Sequence, residues 1–350
     1  VRHLRRSASA GLVAAVALAL AACGGTDNAG SSSAGSAEPA ASSSAGGDAA
    51  FPVTIEGALG PTTIEAKPER VVTLGWGADD IALGLGTVPV GIEEDTWGGD
   101  EDGYHPWFRD AVEEQGAELP ETIAMYPELD VDAVLALEPD LVLAPQSGLE
   151  QDVFDQLSQV VPVVAYPEQP WQTPIEEQVE IAATALGVPE RAQELLDERQ
   201  AAIDEAVAAH PELQGVSFAY VYAGTQPGAL TVYMPGDTRV EFLTQLGLTV
   251  APSVAALQPD EGTFTASLGL ENADRLADAQ LLFTWFNDEA EQQATEGQEL
   301  FAQIPAVQSG AYVPMLDRQL GMAVSTATPL GIPWAVDAYV PMITAAAEKL

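Results

Sequence analysis

The sequence predicts an α/β fold of two Rossmann-like lobes, each built on a mainly parallel sheet and joined by a single long bridging helix. Three observations predict it. Short apolar runs alternate with helical patterns from about residue 71 to the end. One long amphipathic helix, opened by Pro189 and stopped by Pro211, divides that alternation into two series. A layout also recurs: an acid-bearing helical stretch at 129–134 runs through Pro139-Asp140 into a strand at Leu141. Residues 270–276 run through Asp278-Ala279 into a strand at Leu281 in the same way. The chain of 350 residues is longer than one core usually serves, which agrees with two lobes.

The first segment, residues 1–22, reads as a targeting segment. Arg2, Arg5 and Arg6 precede an apolar stretch over 10–22 that is short for a membrane-spanning helix. Leu20-Ala21-Ala22-Cys23-Gly24 resembles the lipobox of bacterial lipoproteins, which makes Cys23 the expected lipidation site. Arg5-Arg6 leaves export by the general or the twin-arginine route open. Cys23 is the only cysteine, so no disulfide within the chain supports the fold. Residues 23–50 are Gly, Ser, Ala and a few acids, the composition of a flexible tether. The expected location is therefore extracytoplasmic, on the outer face of the cell membrane and held by the lipid anchor alone.

The folded part begins near Phe51. Residues 51–55 and 62–64 alternate apolar and polar side chains around a Gly/Pro turn, a hairpin pattern. Strands are expected at 71–74, 88–92, 141–144 and 161–166, with helices at 79–85, 131–137, 151–160 and 174–186. These make an N-terminal lobe over 51–187. The bridging helix occupies 188–210, with an apolar stripe of Ala192, Leu195, Leu196, Ile203, Ala206 and Val207. A C-terminal lobe over 211–350 has strands at 216–222, 230–234, 281–286 and 311–315, helices at 239–246 and 271–276, and a last helix from Trp334.

Composition excludes several functions. Twelve Lys and Arg stand against 53 Asp and Glu, a formal net charge of −41, so nucleic acid and anionic lipid are poor partners. No nucleophile elbow, phosphate-cradling loop or metal-ligand motif occurs, which leaves a secreted hydrolase-like enzyme without a signature. Beyond the targeting segment only His105 and His210 remain, too few for a multi-histidine metal site.

Three segments carry a resemblance when taken in order around the bridging helix. They are Lys67-Pro68-Glu69-Arg70-Val71-Val72, then Asp132-Ala133-Val134-Leu135-Ala136-Leu137-Glu138-Pro139-Asp140-Leu141, then Asp237-Thr238-Arg239-Val240-Glu241-Phe242-Leu243-Thr244-Gln245-Leu246-Gly247. With them, nearly all of the mature chain resembles the periplasmic-type binding proteins of siderophore and cobalamin ABC importers. The resemblance implies a binding protein and not an enzyme, with ligand held between two lobes of small relative motion. It implies one exposed acid on each lobe docking to a permease dimer with its ATPases; by motif position these are Asp132, with Glu128 its nearest rival, and Glu271. It implies no cofactor, no metal held directly by the protein, and a monomer.

Aromatic residues fall where strands end, the place where α/β sheets bind ligands. Trp76 follows Gly75; Trp97, Tyr104, His105, Trp107 and Phe108 share a stretch without core periodicity; Trp171, Tyr233, Trp285 and Phe286 sit near other strand ends. Such rings suit a bulky organic chelate. Arg239 is the cation expected to face the cleft, with Asp237 or Glu241 as rival partners. Few other cations are left for a cleft, because Lys67 and Arg70 precede the first core strand and Arg191 and Arg199 lie on the bridging helix. That scarcity favours a ferric siderophore of hydroxamate or mixed type over a highly charged tricatecholate. Cobalamin, or haem through Tyr104 or His105, is the alternative ligand.

Overall fold

The computed structural model describes residues 51–224 and 226–350. The targeting segment, Cys23 and the tether lie outside the described residues. Strands β1 (Val53–Ile55) and β2 (Thr62–Ile64) pair antiparallel, with Val53 opposite Ile64. Next come β3 (Val71–Thr73), β4 (Gly91–Glu93), β5 (Glu121–Ile123), β6 (Leu141–Leu143) and β7 (Val163–Val164). They form a parallel sheet in the order β5-β4-β3-β6-β7. β3, β6 and β7 are buried along their whole length, which is why they read as unbroken apolar runs instead of alternating ones. The strand expected at 88–92 begins later, at Gly91, because Pro89 has no N–H to give a ladder.

After helix Ile175–Ala185 the bridging helix runs from Arg191 to Ala209, 19 residues or roughly 28 Å. Ala192, Leu195, Ile203 and Ala206 of its predicted stripe are buried. The second sheet contains β8 (Ser217–Tyr222), β9 (Thr231–Tyr233), β10 (Thr249–Val250), β11 (Thr265–Ser267), β12 (Leu281–Trp285) and β13 (Tyr312–Met315). Its order is β11-β9-β8-β12-β13, with β10 beside the start of β8. Every pairing is parallel except those of β9, which runs against both β8 and β11. The reversal comes from a turn rich in Gly and Pro, with Gly224 and Gly228 at positive φ. The two-lobed α/β expectation is borne out, with the second sheet mixed at that one strand. The stretch at 271–276 is a 3-10 helix, Leu270–Leu276.

The cores join behind the bridging helix. Helix Gly331–Ala347 packs on the bridging helix, on helix Arg318–Thr326 and on helix Pro106–Glu114 of the first lobe. Trp107, Phe108 and Val112 therefore belong to the same apolar cluster as Phe218, Phe283 and Tyr339 of the second lobe. No helix among the described residues is long and apolar enough to cross a membrane.

Phe108 is fully buried in that shared cluster. Phe108→Ala is expected to cost about 3–5 kcal/mol of unfolding free energy in urea titration. A loss below about 1 kcal/mol would mean that the two lobes do not share this core.

Candidate ligand-binding cleft

The segments just past the strand ends build the cleft. Gly75 succeeds β3 at φ 81°, and a Cβ there would collide with the Gln146 carbonyl. Only glycine permits this approach, in which the Trp76 N–H donates to Gln146 O at 2.9 Å and the indole is turned to the cleft. Trp171, after β7, lies 5.4 Å from Trp76, ring centre to ring centre. Glu93, Glu94 and Asp95 close β4 and continue past it, and Tyr126 comes after β5. From the other sheet come Trp285 and Asn287 at the end of β12, and Arg239 beside β9.

Two adjoining cavities result, of about 400 and 870 Å³, and both are bordered by Trp76, Tyr126, Arg239 and Ser325. Asp95 organises one wall of the smaller. Its Oδ1 accepts from the backbone N–H groups of Trp97 (2.7 Å) and Gly98 (2.9 Å), and its Oδ2 lies 2.9 Å from His105 Nε2. Trp97 then reaches across the cleft: its Nε1 donates to Asn287 Oδ1 at 2.8 Å, and its ring meets Trp285 edge-on at 5.6 Å. Asn287 is held from behind by Glu291, which accepts from its Nδ2 at 2.8 Å. Trp285 stacks flat on Tyr222 at 4.2 Å and donates to Tyr233 Oη at 3.0 Å. At the larger cavity Gln172 Nε2 donates across to Gly262 O at 2.7 Å. Contacts from both lobes thus hold the cleft at two places.

Charge is divided unevenly. Asp79, Glu93 and Asp95 line the smaller cavity with His105. Burial pushes the Asp79 carboxyl up, and lifts Glu93 to about 7. Burial works against Asp95 too, but the His105 ring and two backbone N–H groups hold it below its ordinary value. The same pairing keeps the His105 pKa raised in spite of burial. Arg239 is gripped bidentately by Asp237, at 2.8 and 2.7 Å, and lies 4.1 Å over the Tyr233 ring. Its charge is therefore locally cancelled.

Of the predicted residues, Trp76, Trp97, His105, Arg239 and Trp285 line the smaller cavity. Tyr233 lies beneath Arg239 as its support. Tyr104 and Trp107 are corrections: neither lines the cleft. Tyr104 is buried, donates to Pro120 O and carries Arg109 over its ring. Trp107 is 4% exposed, stacks on His105 from behind and donates to Asp80 Oδ2 at 2.7 Å. Pro106 starts a helix there, and its apolar face turns Trp107, and Phe108 with it, into the core; Tyr104 precedes that helix. Arg199 is a correction in the other direction, since it lines the larger cavity from the bridging helix. Glu93, Asp95, Tyr126 and Asn287 went unrecognised. Glu93 and Asp95 come directly after a predicted strand, so the strand-end argument used for the aromatics would have reached them. Asp132 and Glu271 are exposed, in the first turns of the helical segments that feed β6 and β12.

Residues 71–315 match the family model described as periplasmic binding protein. The chain belongs to this family. The ferric enterobactin-binding periplasmic protein FepB of Escherichia coli is 27% identical over 276 residues, 74% of this chain and 82% of that protein. The iron uptake ABC transporter substrate-binding protein PiaA of Streptococcus pneumoniae is 28% identical, with TM-score 0.75 over 85% of this chain and all of that one. Its structure in complex with ferrichrome gives 29% and 0.76, over 85% and 99%. The expectation of a siderophore-type importer binding protein is borne out at this level. The family and these relatives are binding proteins, and membership implies a location outside the cytoplasm.

Glu93 gives a pH prediction with a definite sign. Between its ordinary 4.5 and about 7 the folded protein keeps a proton that the unfolded chain has lost. Stability therefore falls as pH rises through that window, by about 2–3 kcal/mol for this group. Glu93→Gln is expected to flatten the loss between pH 5 and 8 in urea midpoints. An unchanged pH dependence in the variant would contradict the buried, protonated state.

Proposed function

We propose that this protein captures a ferric siderophore, of hydroxamate or mixed donor type, and delivers it to the permease of an ABC importer. The observation that carries the reading is the pair of adjoining cavities, walled by Trp76, Trp97, Tyr126 and Trp285 from both lobes at the ends of the strands. FepB is named for ferric enterobactin and PiaA was solved with ferrichrome, which supports an iron chelate as ligand. The charge balance supports the donor type. Four acidic side chains, Asp79, Glu93, Glu94 and Asp95, and one imidazole line the smaller cavity while Arg239 is neutralised by Asp237, so a chelate of low charge fits better than a strongly anionic one. The iron remains with its chelator, and capture with later release makes and breaks no covalent bond. Haem is the weaker reading: Tyr104 Oη donates to Pro120 O and His105 Nε2 is held by Asp95.

Delivery depends on the outer surface. Asp132 and Glu271 occupy equivalent places, each in the first turn of the helical segment that leads to the strand beside the first strand of its parallel series, β6 beside β3 and β12 beside β8. Two exposed carboxylates so related suit two cationic pockets of a two-fold permease, fixing register more than affinity. Lipidation of Cys23 with the tether of 23–50 would keep the captured chelate near that permease.

Titration of intrinsic tryptophan fluorescence with a ferric trihydroxamate is expected to show saturable quenching, absent with cobalamin and haemin. Saturation by cobalamin or haemin with none by the ferric chelate would overturn the ligand. The double variant Asp132→Ala, Glu271→Ala is expected to keep chelate binding and lose uptake in cells; undiminished uptake would remove the docking assignment.

A further inference from the structure

Arg199 is the one fully buried cation among the described residues. It lies in the middle of the bridging helix and is 4% exposed. Its Nε donates to Ala327 O at 2.8 Å, and it forms no ion pair among the described residues. A guanidinium has five N–H donors, so the terminal nitrogens remain uncommitted, and Arg199 is part of the lining of the larger cavity. Burying a cation without a partner is costly, and here acids outnumber bases 53 to 12. Arg239 shows the usual arrangement, with Asp237 bidentate against it. Glu176, exposed on the same cavity, offsets part of the cost without pairing.

We propose that the larger cavity is a carboxylate subsite in which Arg199 receives a free carboxylate carried by the ferric chelate. This rests on the siderophore reading above and deepens it. The two ends of the cleft then ask for different chemistry. The smaller cavity, lined by Asp79, Glu93, Glu94 and Asp95, offers an anionic group no free cation, since Arg239 is held by Asp237. The larger one, whose acids are Glu176, Glu241 and the Arg239-bound Asp237, also holds in Arg199 a planar two-toothed donor matched to a carboxylate. A hydroxamate chelate with a pendant acid, or a mixed hydroxamate–carboxylate chelate, satisfies both. Because Arg199 sits on the helix joining the lobes and also holds Ala327 of the second lobe, the bound carboxylate would engage the bridging helix itself.

Two probes that differ at one end test this: ferrioxamine with its terminal amine capped by an acetyl group, and the same chelate capped by a succinyl group. The protein is expected to bind the succinyl form about tenfold or more tightly, the range of one charge-assisted contact. In Arg199→Gln the two affinities should converge, and Arg199→Lys should restore part of the preference. Equal affinities in the unaltered protein, or a preference that survives Arg199→Gln, would overturn the subsite. If neither chelate binds, the siderophore reading fails for this class, and free succinate decides the subsite separately. At constant ionic strength succinate should raise the melting temperature of the unaltered protein and not that of Arg199→Gln. The same shift in both, or none in either, would overturn it.

Discussion

The width of the cleft depends on apolar packing behind it. Helix Pro106–Glu114 belongs to the first lobe by chain order, yet Trp107, Phe108 and Val112 pack into the core of the second. A buried polar contact pins the same seam. Asp80 Oδ2 accepts from Trp107 Nε1 at 2.7 Å and from Thr328 Oγ1 at 2.5 Å, and Gly331 N–H donates on to that hydroxyl at 2.9 Å. Burial and the neighbouring Asp79 push the Asp80 carboxyl up from its ordinary value. Lobes sharing a close-packed core move little relative to one another. Trp97 and Asn287 are therefore held ready in front of the seam, which lowers the ordering cost of binding.

That geometry governs the electrostatics. A closed cleft is poorly solvated, so its carboxylates either find a partner or take up a proton. Asp95 takes the first course with His105, and Glu93, which accepts only the Gly75 N–H at 2.9 Å, takes the second. Arg239 takes the first course with Asp237, and Arg199 takes neither. Arg199 thus stays buried and without an ion pair on the larger cavity, which Glu176, Asp237 and Glu241 also line.

Much of the scaffold was legible because buried parallel strands and long helices leave strong patterns. The apolar runs at 71–74, 141–144 and 281–286 became β3, β6 and β12, and the Pro-bounded stripe became the bridging helix. The strands β5, β10 and β11 left no pattern, because they are as short as β3 or β7 but partly exposed and rich in Thr, Glu and Ser, so they make no apolar run. At the site, single aromatics after strands were readable by position. Tyr104 and Trp107 were misplaced because the Gly- and acid-rich run before them masked a helix start at Pro106. Trp107, Phe108, Ala111 and Val112 do carry its helical spacing. Arg199 was invisible for a different reason: which face of the bridging helix turns to the cleft depends on tertiary packing that its own stripe leaves open.

The most direct measurement is anomalous diffraction at the iron edge from crystals grown with a ferric trihydroxamate. One iron peak is predicted between the lobes, bounded by the Trp97–Trp285 pair on one side and Arg239 on the other. Iron bound outside the cleft, or coordinated by protein side chains in place of the chelator, would contradict the account.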